Sequence, residues 1–218
     1  MGGGRSPARN LNKCPFWGSL YRPRSETNSV CHAILHDIKF FKILLRIDNE
    51  LAAQTHAGLC QCGGTLHRAN YPRKPRGCPN EVRADHASRF SFCCSDCRKR
   101  STSVSVRFLG RRVYLGLAVV LVSARRTGQT PAATRLSQDT GIPIRTLQRW
   151  RQWWRDQFPL TALWQAACAR FMPPVGTEQL PAGLLERFPG SDAQALIRLL
   201  IFLTPITARR LITLKKGR

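Results

Sequence analysis

Two cysteine pairs constrain this chain more than any other feature. Cys60-Gln61-Cys62 and Cys94-Ser95-Asp96-Cys97 lie about thirty residues apart. Four thiolates gathered from two loops can hold one tetrahedral ion, each sulfur about 2.3 Å from it. A chain stapled in this way has to fold back on itself between residues 62 and 94. Gly63 and Gly64 follow the first pair, where a missing Cβ lets backbone amides turn toward the sulfurs. Lys99 and Arg100 stand beside the second pair and offset part of its negative charge. Six of the nine cysteines fall between Cys60 and Cys97. In a reducing compartment such clustering goes with metal rather than with disulfides. The odd total also argues against a complete disulfide framework.

Together these features resemble a zinc ribbon, with two knuckles on hairpins and a strand after the second. The expected ligands of Zn2+ are Cys60, Cys62, Cys94 and Cys97. The first pair departs from the usual spacing of two residues. In a regular knuckle its leading cysteine would stand at Leu59. Cys78 and Cys93 are spare thiols, and His67 and His86 are further candidate ligands. The competing reading is a degenerate ribbon whose cysteines are merely structural. A redox pair at Cys94 and Cys97 lacks the surrounding βαβ pattern such pairs use. Cys31, His32 and His36 have no complete ligand set nearby and read as surface or packing residues.

Charge narrows the partner. The 218 residues carry 35 Lys+Arg against 12 Asp+Glu, a formal net charge of +23. A compact chain so charged repels itself unless a polyanion or counterions screen it. Nucleic acid is the usual polyanion, because each cation set against a phosphate releases condensed counterions. The alternatives on composition alone are an RNA binder of ribosomal type or a solubilising surface. The longest clean apolar run, Val113 to Ala124, is well short of the roughly 20 residues a membrane helix needs. Met1 to Arg9 has no apolar core of the kind a signal peptide requires. The expected location is therefore cytoplasmic, with no membrane partner.

Four regions follow along the chain: 1–50, a poorly defined N-terminal extension; 51–110, the ribbon-like unit; 111–160, a helix-turn-helix region; and 161–218, C-terminal helices with a basic tail. Ala33 to Leu51 is expected as one helix, with Ile34, Ile38, Phe41 and Leu45 on its apolar face. Thr102 to Phe108 alternates polar with apolar residues and reads as a strand. Arg111 to Ala124 reads as a buried helix, with strand as the alternative. Leu160, Leu163, Trp164, Ala167 and Phe171 mark the apolar face of a later helix. Met172 to Gly176 reads as a linker. Ser191 or Asp192 caps a last helix that halts before Pro205. The fold class expected is α+β.

Residues 131–158 carry the second motif. Thr130 caps and Pro131 opens a first helix, Gly141 closes it in the left-handed conformation, and Pro143 opens a second helix running to about Phe158. Ser137 is small where the helices approach, and Ile142 should lie buried under the turn. At about 100° per residue, Leu147, Trp150 and Trp154 share one face of the second helix, with Ile144 at its edge. Arg145, Gln148, Arg149 and Gln152 then point outward. Arginine pairs bidentately with guanine and glutamine with adenine, so this stripe suits a major groove. Arg98, Lys99, Arg100, Arg111, Arg151 and Arg155 suit phosphates. The alternative is an ordinary helical hairpin with a solvated basic face. Trp150, Trp153 and Trp154 read as packing residues rather than base-stacking platforms.

A zinc ribbon followed by a helix-turn-helix resembles the DNA-binding front of bacterial insertion-sequence transposases and their stand-alone relatives. The matching pieces are Cys62-Gly63-Gly64, Cys94 to Arg100 and Gly141 to Trp150. The resemblance implies sequence-specific binding of double-stranded DNA, at element ends or an operator, and does not extend to catalysis. Past the second motif only Asp156, Glu178, Glu186 and Asp192 remain as carboxylates, with no strand pattern to present them to two metal ions. The chain is therefore expected not to be an enzyme, and its C-terminal helices suit packing or a homo-oligomer. The alternatives are an RNA-binding ribbon protein and a truncated transposase or nuclease.

Overall fold

The first long element is α1, Ile38–Ala57, preceded by a helical turn at 33–36. The structure is a computed structural model and describes residues 33–109, 115–116, 118–120, 137–138 and 141–208. Asp37 separates the turn from the helix. Its backbone is extended and its carboxylate accepts from the amides of Lys39 at 2.8 Å and Phe40 at 3.3 Å, a side-chain N-cap. This restart rotates the expected apolar face. Phe40, Phe41, Leu44, Asp48 and Ala52 are buried, whereas Ile38 is exposed and Leu45 half-buried. The helix also runs past Leu51 to Ala57, across the division expected at 50/51.

Beyond α1 the chain forms small antiparallel sheets. β1, Leu66–Arg68, pairs with β4, Ser91–Cys94, setting Leu66 opposite Cys94. β4 also pairs with β5, Arg100–Thr102, so the sheet order is β1-β4-β5. β2, Tyr71–Pro72, pairs with β3, Ser88–Arg89, as a separate two-stranded piece. The Ala69 amide donates to Ser91 O at 2.8 Å and the Asn70 side chain accepts from the Ser91 amide at 3.1 Å. The two pieces therefore continue one hairpin through an irregular step. Residues 73–87 form an excursion at its far end, anchored by buried Val82 in a 3-10 turn.

The strand expected at 102–108 ends at Thr102. Past it, the chain turns onto a buried carboxylate. Asp48 Oδ2 accepts from Ser105 Oγ at 2.5 Å and from Arg107 Nε at 2.7 Å, while Oδ1 accepts from the Val106 amide at 2.7 Å. Both ionic side chains are fully buried. Arg107 also donates to Asp85 O at 3.3 Å and Ser88 O at 3.2 Å, and stacks near Phe90 and Phe108. A backbone whose amides serve a side-chain acceptor cannot extend a ladder, which is why alternation alone failed here.

The helical part begins with α2, Ile144–Gln152, which continues through a five-residue π turn at Trp153–Gln157 and a 3-10 turn at Phe158–Leu160. α3 is Ala162–Ala167, capped by Thr161; α4 is Ala182–Leu185; α5 is Asp192–Phe202. Because Thr161 restarts the helix, Leu160 is left outside the expected apolar face at 74% exposure, while Trp164 and Ala167 are buried. Ser191, not Asp192, caps α5, with Gln194 completing a capping box. Rings run through this half in sequence: Trp154 to Phe158 at 4.8 Å, Phe158 to Trp164 at 5.3 Å, Trp164 to Phe171 at 5.9 Å and Phe171 to Phe202 at 5.7 Å. One core joins Phe41 and Leu44 of α1 to Leu147, Trp154, Leu196 and Leu200. Thr207 ties the far end back, its hydroxyl accepting from the Ser105 amide at 2.9 Å and its carbonyl from Arg89 at 3.3 Å. The architecture is α+β, as expected.

Candidate metal centre and nucleic-acid interface

The four cysteines singled out by spacing converge. The sulfurs of Cys60, Cys62, Cys94 and Cys97 all lie within 4.8 Å of one another. Cys60 approaches Cys97 at 3.5 Å and Cys62 approaches Cys94 at 3.5 Å, each contact joining one pair to the other. A regular tetrahedron with metal–sulfur bonds of 2.3 Å has edges of about 3.8 Å, so these distances suit a single ion. An all-thiol donor set favours zinc or an iron–sulfur centre over hard cations.

Local backbone chemistry builds the centre. At the first pair, the Gly63 amide donates to Cys60 O at 2.8 Å and the Cys60 amide to Gly64 O at 3.0 Å, closing a tight loop. Gly63 has φ +88, and a Cβ on Gly64 would lie 2.6 Å from the Cys94 sulfur. Both glycines are therefore required, for different reasons. At the second pair, Arg98 takes a left-handed φ of 58 and the Cys94 amide donates to Lys99 O at 3.1 Å. Three sulfurs receive the amide two residues ahead: Cys62 from Gly64, Cys94 from Asp96 at 3.4 Å, and Cys97 from Lys99. The short first pair thus reproduces at Cys62 the amide contact made at both cysteines of the second pair.

The thiols do not ionise independently. Cys62 is pulled down to about 6, chiefly by the Gly64 amide and then by its thiol neighbours. Cys97 is pushed up to about 12: the Lys99 amide lowers it, but Cys62, burial, Cys60 and Cys94 together outweigh that. Cys62 thus gives up its proton readily while Cys97 holds its own, and a cation among the sulfurs would favour the thiolate form of both. Beneath the centre lies a small apolar cluster of Ala52, Leu66, Phe92 and Cys94, on which α1 closes.

The other candidate ligands, His67, His86, Cys78 and Cys93, are not part of this group. His86 is buried, its Nδ1 3.0 Å from Val82 O and its ring edge-on to Phe41. Burial, then the nearby Arg107 charge, holds its pKa below the ordinary range. Cys93 points its sulfur toward Arg98 O at 3.5 Å. Cys78 is half-buried in the 73–87 excursion, where burial raises its pKa. Cys31 and His32 lie outside the described residues.

In the second motif, Gly141 has φ +62, Ile142 is fully buried and Ser137 Oγ donates to Ile142 O at 2.7 Å. Most of the first helix lies outside the described residues. On α2, Thr146, Leu147 and Trp150 are buried, whereas Arg145, Gln148, Arg149 and Gln152 are all exposed. Arg149 also donates to Thr146 Oγ1 at 3.1 Å, which steadies its guanidinium. Ile144 is 39% exposed, consistent with an edge position. Trp150 and Trp154 are buried and Trp153 packs against Trp154 at 4.9 Å, so these rings hold the helix.

Among the cations expected at phosphates, Arg98, Lys99 and Arg100 are exposed and follow Cys97 of the four-cysteine group in sequence. Arg155 is exposed but faces Asp156 at 2.9 Å, and Arg151 is half-buried, with burial lowering its pKa. Arg111 lies outside the described residues. Sequence reasoning missed Asp48 and Arg107, the buried pair under the ribbon. The available signal was an acid on the apolar face of a helix, four residues from both Leu44 and Ala52.

Comparison with protein-family models, curated proteins and solved structures returns no match to this chain. Among the described residues, no helix is long and apolar enough to cross a membrane.

Proposed function

We propose that this chain binds double-stranded DNA sequence-specifically, as a transposase-like or mobile-element-associated regulator without a catalytic domain of its own. The observation that carries the reading is the sorting of α2: Leu147 and Trp150 are buried while Arg145, Gln148, Arg149 and Gln152 are exposed together. The net charge of +23 supports it, since phosphate neutralisation dominates affinity for duplexes. Zn2+ is the ion assigned to Cys60, Cys62, Cys94 and Cys97, where it holds the ribbon rather than reacts. A cytoplasmic setting fits the described cysteines, all of which are free thiols.

The test is selection of bound sequences from a random duplex pool, followed by measurement of Arg145→Ala and Arg149→Ala on the selected site. Each lost base contact should cost about 1–3 kcal/mol of discrimination while binding to unrelated duplex persists. Unchanged sequence preference in the double variant overturns the assignment of α2. RNA binding by the ribbon has one observation in its favour. Tyr71 carries the Arg73 guanidinium 4.9 Å and the Arg100 guanidinium 5.8 Å from its ring centroid, an aromatic flanked by cations. Tighter binding of structured RNA than of duplex DNA at matched salt would select that reading.

A further inference from the structure

A cleft of about 850 Å³ opens between the 73–87 excursion and the turn of the helix-turn-helix. Arg73, Lys74, Arg76 and Arg83 line it, and no carboxylate does among the described residues. Lys74, Arg76 and Arg83 are exposed, and the Arg83 side chain also hydrogen-bonds Cys78 in the same cleft. Ala84 and Ala87 contribute small apolar surface to the wall. Leu35, His36 and Ala118 also line the cleft, together with Gly141 and Ile142, which lie three to four residues before Arg145 of α2.

Concentrated positive charge in a groove is the footprint of a phosphate-bearing partner. The apolar wall suits the sugars of a backbone rather than a bare inorganic ion. Four cations supplied by one excursion and facing the start of α2 lie where flanking backbone would pass if α2 enters a major groove, since recognition helices present their N-terminal residues to the bases. We infer that this cleft is a backbone clamp: it seats the sugar–phosphate strand flanking the bases read by α2, with Lys74, Arg76 and Arg83 as the phosphate contacts. The inference rests on the DNA-binding reading of α2 and gives the ribbon's excursion a role in the same complex.

The experiment measures duplex binding of the full chain against salt for three proteins. One is the wild type, one carries Lys74→Gln, Arg76→Gln and Arg83→Gln, and one carries Lys39→Gln, Lys42→Gln and Arg170→Gln, exposed cations that do not line the cleft. Each phosphate contact contributes roughly 0.9 to the slope of log affinity against log salt. The cleft variant should lose about two to three from that slope, equally on the selected site and on unrelated duplex, with its sequence preference intact. The control variant should lose less than one, on the same scale. A charge-preserving variant, Arg76→Lys with Arg83→Lys, should keep the wild-type slope, which separates charge from local packing. Equal losses in the cleft and control variants, or a wild-type slope in the cleft variant, overturn the clamp while leaving α2 as the reader. A wild type that retains no duplex at low salt overturns the DNA-binding reading and the clamp together. A cleft variant that loses sequence preference without a change of slope also overturns the clamp, because the cations would then be reading bases.

Discussion

The ribbon and the helical part of this protein are held by different physics. Around the metal centre the apolar cluster is only Ala52, Leu66, Phe92 and Cys94 with a few half-buried neighbours. Geometry there depends on individual ties: four sulfurs, Gly63 at positive φ, Gly64 with no room for a Cβ, and Asp48 gripping Ser105, Val106 and Arg107. From α2 onward, order comes from a run of touching rings and from Leu196, Leu199 and Leu200 of α5. A small unit cannot bury enough surface to fix itself, so it uses specific bonds. The larger core is non-directional and tolerates local irregularity, including the π turn after α2.

If the four cysteines hold Zn2+ as proposed, removing it should break this contrast most severely. Structural zinc in small units is worth on the order of 10 kcal/mol or more of folding free energy. Chelation under reducing conditions should therefore expose amides of residues 60–102 to hydrogen exchange while residues 192–203 remain protected. Uniform loss of protection would show that the two parts are one cooperative unit and defeat the comparison.

Next in size is the buried ion pair. Asp48→Ala leaves the Arg107 guanidinium buried with its charge unpaired, and removal of one partner from such a pair costs about 3–5 kcal/mol. Denaturant melting reads this directly. A cost below about 1 kcal/mol, the range of exposed pairs, would mean water reaches Arg107.

His86 offers a smaller effect with a definite direction. Its folded pKa lies below the ordinary 6.5, mainly through burial, so the unfolded chain takes up its proton first as pH falls. Stability is full above pH 6.5 and declines as pH drops from there toward the folded value, where the loss levels off. Comparing melting temperatures at several pH values for the wild type and His86→Gln checks this. The variant should show a flatter profile over that window, and an unchanged profile would assign the acid response to other groups.

The smallest change is at the end of the helical core. Ser191→Ala removes the Oγ that accepts from the Gln194 amide, while the Ser191 amide can still donate to Gln194 Oε1, at a cost of about 1 kcal/mol. A cost several times larger would show that α5 anchors more than its own packing.

Much of the candidate site was legible because its parts are local. Spacing selected the four convergent cysteines over Cys78, Cys93, His67 and His86, despite the short first pair. Composition of the turn placed Gly141 at positive φ and Ile142 in the core, and angular arithmetic separated Leu147 and Trp150 from Arg145 and Arg149. The capped final helix was legible down to its choice between Ser191 and Asp192. What alternation and helical period could not supply was anything settled by a distant partner.

Thus the chain's order of residues by itself marked out the two cysteine pairs, the turn and the outward stripe of α2, since each is legible from neighbours within a few positions. The meeting of Cys60 with Cys97, 37 residues away, is by contrast a tertiary event. Only the tertiary structure decided the rest. Strand β5 stops at Thr102 because Asp48, more than fifty residues earlier, captures the amide of Val106. Ile38 and Leu45 lost the core to Phe40 and Leu44 because the cap at Asp37 turned the helix. A buried carboxylate and a restarted helix are cooperative outcomes of packing, and no window of sequence contains both sides of them.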